Sequence, residues 1–141
     1  MNFDISKADI EFRGQMESCA FPASEFNHRA HLRLAYIYLT QNSTDGSAEL
    51  MRDAINRFLV HNGVDPSKFH ETLTKAWILA VHHLMDRTGN STSAGEFIGS
   101  NSEMLDTKIM MTHYSAEVLF SDEARTAFVQ PNLDPIPRHN E

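Results

Sequence analysis

The chain has 141 residues, 41% apolar and 22% charged, a globular balance that gives no reason to expect a collagenous, coiled-coil or disordered protein. A formal charge of -7, from 19 acidic and 12 basic residues, opposes the attraction on which nucleic-acid and anionic-membrane binding depends, so neither partner is expected. No apolar run approaches the roughly 20 residues of a membrane span. A lone cysteine, Cys19, excludes an internal disulfide and a thiolate-rich zinc site, and the polar start lacks the apolar region of a secretory signal, so the expected compartment is cytoplasmic.

The length suits one domain, residues 1–141. Gly and Pro are few, six and five, and they fall between periodic segments. That punctuation predicts an all-α fold, a single compact bundle of about five to seven helices without strands. In the N-terminal segment, 1–23, a helix over 6–18 is weakened by Gly14, and Pro22 marks a turn. Three central helices follow within 24–89. The first is expected over 25–41 with Ser24 as cap, and the second over 48–62 after a loop at 42–46. The third, over 66–88, opens on Asp65 and Pro66 and closes at Gly89. Residues 90–95 read as a loop, and within 90–129 short helices are expected over 94–98, 104–113 and 122–129, the last capped by Ser121. Pro131, Pro135 and Pro137 make 130–141 an extended strap over the bundle or a frayed tail.

Helical projection puts His28 and His31 on the apolar face of the first central helix, with Arg29 and Arg33 on a polar edge. His70 shares an inward stripe with Leu73 and Trp77 on the third. Short loops make successive helices antiparallel, so the first and third are parallel and the three imidazoles stand at nearly the same depth. Three convergent neutral imidazoles suit a divalent transition metal, Fe, Mn or Zn. Glu25, three residues before His28, could add a carboxylate. The Glu-x-x-His spacing of ferritin-like di-iron helices needs a second copy, which this chain lacks, so the expected centre is mononuclear. Asp106, His113 and Tyr114 are candidate closing groups.

Glu71 adjoins His70 and is a candidate general base, or else an exposed i, i+4 partner of Lys75. Arg29 and Arg33 could orient a carboxylate or phosphate beside the imidazoles, or form a solvated edge. Trp77, Tyr36 and Tyr38 read as core, and His61, His82, His83 and His139 as peripheral. These features point to a metal-dependent enzyme acting on a small anionic molecule. Two alternatives stand beside it: a metal-free pocket that binds or isomerises a small polar ligand, and a regulatory or interaction module in which the histidines only shape the core.

The segment F-N-H-R-A-H-L-R-L-A-Y-I-Y-L, residues 26–39, is followed by K-F-H-E-T-L-T, residues 68–74, and by A-R-T-A-F-V-Q-P-N-L-D-P-I-P, residues 124–137. Together they resemble a family of small bacterial all-helical proteins of uncharacterised activity, and the resemblance spans most of the chain after Ser24. It implies that His28, His31, His70 and Glu71 belong to a recurring pattern, and it implies no particular reaction.

Overall fold

In the computed structural model, which describes residues 2–139, the helix starts are written in side chains. Helix α1 (Lys7–Glu17) opens on a reciprocal capping box, with the Asp9 N–H donating to Ser6 Oγ and the Ser6 N–H to Asp9 Oδ2. Helices α2 (His28–Leu39), α3 (Thr44–His61) and α4 (Glu71–Thr88) are capped by the side chains of Asn27, Ser43 and His70. The short helices α5 (Ala94–Ser100), α6 (Ala116–Leu119) and α7 (Asp122–Thr126) start on Ser93, Ser115 and Ser121. Each cap satisfies an amide that the first helical turn leaves without a partner.

These caps move several expected boundaries. Helix α2 begins at His28 rather than 25, because Asn27 takes the Ala30 N–H at 3.0 Å and residues Ala23–Glu25 form a separate 3-10 turn. Ser43, not the 42–46 loop, opens α3, and its hydroxyl accepts from the Gly46 N–H. Asp65 caps only a 3-10 turn, Pro66–Lys68, after which α4 restarts at Glu71. Gly89, at φ 85°, ends α4 as expected, in a conformation that favours glycine. The helix expected over 104–113 is instead two 3-10 segments, Ser102–Leu105 and Thr107–Thr112, separated where Asp106 turns extended and caps the second. Helix α6 was not foreseen. Nor was a minimal parallel pairing of β1 (Asn2–Phe3) with β2 (Asn90–Ser91), too short to leave a period-two pattern in the sequence.

Helix α2 is the centre of the molecule. Leu32, Leu34, Ala35, Tyr36 and Ile37 are fully buried, so it is enclosed around most of its circumference by α1, α3, α4 and α5. One contiguous apolar cluster unites these helices with Met104, Met110 and Tyr114. Helices α2 and α4 run parallel: His28 meets Trp77 near their starts, while Tyr36 stacks on Phe97 of α5 and Thr88 meets Asn101 just beyond it. The chain beyond α7 is a strap as far as His139. It is held where the Leu133 N–H donates to His113 O, where Tyr114 Oη donates to Val129 O, and where Ile136 buries its side chain. The last two residues of the expected strap, Asn140 and Glu141, lie outside the described residues. Among the described residues no helix is long and apolar enough to cross a membrane.

Candidate functional site

The late start of both parallel helices preserves the predicted depth match. His28 is the first residue of α2, His31 the fourth, and His70 the cap of α4, and all three line one cavity of about 550 Å³. Its wall is mainly apolar, with Phe26, Leu73, Trp77, Met110 and Met111 among its side chains. The 3-10 segment Thr107–Thr112 and the Leu119–Phe120 corner close it opposite the bundle. Such a volume and lining are those of a small-molecule pocket.

Two of the imidazoles hold neighbouring backbone. His70 Nδ1 accepts the Leu73 N–H at 3.0 Å, so it carries no proton, and the proton on Nε2 is donated to Leu119 O at 2.8 Å. His28 Nε2 lies 2.9 Å from Met104 O, and because a carbonyl only accepts, Nε2 must be the donor there. The His28 ring also meets Trp77 edge-on at 4.6 Å. His70 thereby ties the end of α6 to the start of α4 beside the cavity, and His28 ties the Ser102–Leu105 segment, which lies outside the lining, to the start of α2. Burial holds the His70 pKa below its ordinary value, although its bond to Leu119 O pulls the other way.

His31 differs from both. Its Nδ1 is buried with no hydrogen-bond partner among the described residues. Desolvation of the ring, and to a lesser degree the neighbouring His28, push its pKa down to about 4. At neutral pH it is an uncharged imidazole.

Other expected site residues lie elsewhere. Glu25 is exposed at the end of its 3-10 turn and does not line the cavity, so its three-residue spacing to His28 is not a helical one. Glu71 turns away from His70 into a second cleft, where both carboxylate oxygens accept from Arg52. Its expected partner Lys75 instead pairs with Asp45 at 3.1 Å and lies over the Phe128 ring. Arg29 and Arg33 line a third cleft, of about 280 Å³, beside Ser6 and Asp9. Arg33 donates to Asp9 at 3.0 Å and covers the Phe12 ring, so its charge is already matched. Burial pulls the Asp9 pKa up, but hydrogen bonds from Ala94, Ser6 and Arg33 outweigh it and hold the group below the ordinary carboxylate value. Arg29 is exposed.

The three candidate closing groups do not reach the cavity either. Asp106 caps its 3-10 segment, His113 Nδ1 donates to Asp134 O on the strap, and the buried Tyr114 binds Val129 O. Of the histidines expected to be peripheral, His83 and His139 share a hydrogen bond of 2.8 Å where the strap crosses α4. Among the described residues no group of three or more His, Cys, Asp or Glu side chains is arranged to hold a metal ion.

Sequence reasoning missed Lys68 and Lys108, the two cations of the cavity lining. Both are exposed, so they stand at its rim. They lie on separate 3-10 segments, Pro66–Lys68 and Thr107–Thr112, and no local pattern brings them together. Phe26 and Phe69, just outside helices in non-helical conformation, were equally illegible as lining. No protein-family model, curated protein or solved structure matches the chain.

Proposed function

We propose that the protein binds a small, largely apolar molecule in the cavity between the starts of α2 and α4, against a wall that includes His31. One observation carries this reading: the cavity has a mainly apolar wall that includes His31, a half-buried imidazole whose Nδ1 has no hydrogen-bond partner among the described residues. Apolar lining supplies affinity and a few polar groups around it supply orientation, the usual division in small-molecule sites. His70 acts here as a fastener of the Leu119–Phe120 corner, and His28 is engaged by Met104 O. For His70 to ligate a metal it would have to release either the Leu73 N–H or the Leu119 carbonyl. The geometry therefore favours the metal-free pocket over the mononuclear metal centre.

Trp77 is the chain's single tryptophan and lines the cavity, so its emission reports occupancy. Titration with 4-phenyl-1-butanol is expected to shift that emission saturably, and Leu73→Phe, which fills the cavity from α4, to abolish the saturable part. A linear response that is identical in the two proteins would overturn the proposal.

A further inference from the structure

We infer that the occupant of this cavity is an amphipathic carboxylate, its apolar body inside and its anionic head at the rim between Lys68 and Lys108. The inference rests on the proposed binding function and names the ligand's chemical class. Three observations carry it. The chain is strongly acidic, at -7, yet no Asp or Glu lines this cavity, while two lysines do. Neither lysine forms a close ion pair among the described residues, whereas Arg33, Arg52 and Lys75 all do; Lys68 feels only a more distant attraction to Asp65. The starts of α2 and α4 both meet the cavity, at His28 and His70, so the positive ends of two parallel helix dipoles add to the lysines. The acidic surface elsewhere repels anions, which makes this positive rim a selective entrance.

The Arg29 and Arg33 edge offers no comparable site. Asp9 already neutralises Arg33 there, and the cleft is about half the size and mainly polar, with little apolar wall to hold a ligand body. A free phosphate would likewise find the two lysines but nothing to occupy the cavity behind them.

The experiment compares 4-phenylbutyrate, 4-phenyl-1-butanol and 4-phenylbutylamine, three ligands with one apolar body and different heads, by Trp77 emission. Carboxylate is expected to bind roughly tenfold more tightly than alcohol, the combined effect of two exposed charge pairs, and amine most weakly. In Lys68→Gln/Lys108→Gln the carboxylate's advantage is expected to vanish while alcohol affinity stays unchanged, which also shows that the variant is folded. Salt at about 1 M, where screening acts within roughly 3 Å, is expected to shrink the advantage in the same way. Equal binding of carboxylate and alcohol by the unaltered protein would overturn this inference and leave the pocket's function standing. If none of the three binds saturably, the binding function fails and the inference with it.

Discussion

Replacing His31 by Leu is expected to flatten the protein's stability profile below neutral pH. The His31 pKa falls from 6.5 in the unfolded chain to about 4 in the folded one, so between those values the unfolded state binds the extra proton. Stability is therefore complete above the unfolded value and is lost as pH falls toward the folded one. At about pH 4.5 the loss from this residue alone comes to about 2.5 kcal/mol, at 1.36 kcal/mol per pH unit of difference. His70 and His83 are shifted in the same direction, so the informative quantity is the difference between two proteins. Urea unfolding followed by circular dichroism, for the unaltered chain and His31→Leu from about pH 7 to pH 4.5, is expected to give curves that diverge by about 2 to 3 kcal/mol. At neutral pH the variant should be at least as stable as the original. It removes a buried nitrogen that has no partner among the described residues, a defect that costs about 1 to 3 kcal/mol. Parallel curves, or a variant destabilised at pH 7 as an ordinary core truncation would be, would refute the account of His31 as a desolvated and unsatisfied base.

His70→Ala removes both the cap of α4 and the fastening of Leu119, and it should lower stability by about 2 kcal/mol, while His70→Asn keeps the cap and should lose only about half of that; urea midpoints decide. Glu71→Gln breaks the pair with Arg52, which is 41% exposed, so its cost should stay below about 1 kcal/mol. Because Glu71 faces a different cleft, 4-phenyl-1-butanol affinity in that variant should be unchanged, and a large loss would restore Glu71 to the site. After anaerobic reconstitution with Fe(II), Mn(II) or Zn(II), elemental analysis should find less than one equivalent. A full equivalent that His28→Ala and His70→Asn both eliminate would reinstate the metal centre.

The central helices, the parallel arrangement of α2 and α4 and the placement of His28, His31 and His70 around one cavity were legible because each depends on local signals: apolar periodicity, terminators such as Gly89, and loops too short to reverse the topology. Placement survived an error of boundary. Both α2 and α4 begin several residues later than Ser24 and Asp65 suggest, and a similar shift at both ends leaves the histidines level. His70 as a cap was unreadable, since imidazole is outside the usual capping set of Ser, Thr, Asp and Asn. What each side chain faces depended on partners distant in sequence. Asp9 lies 24 residues before Arg33 and Arg52 lies 19 before Glu71, and in each case the partner took the charge that had been assigned to chemistry. The cover over the cavity was equally hidden, because a 3-10 segment such as Thr107–Thr112 lacks the 3.6-residue period that marks an α-helix.

The most direct test of the cavity as a binding site is isotope-edited NMR of the methyl-labelled protein with 4-phenylbutyrate. Contacts from the phenyl protons to the methyl groups of Leu73, Met110, Met111 and Leu119, all of which line the cavity, are the predicted result. Contacts confined to exposed side chains such as Ile10, Val60 or Leu133, which lie outside it, would contradict the account.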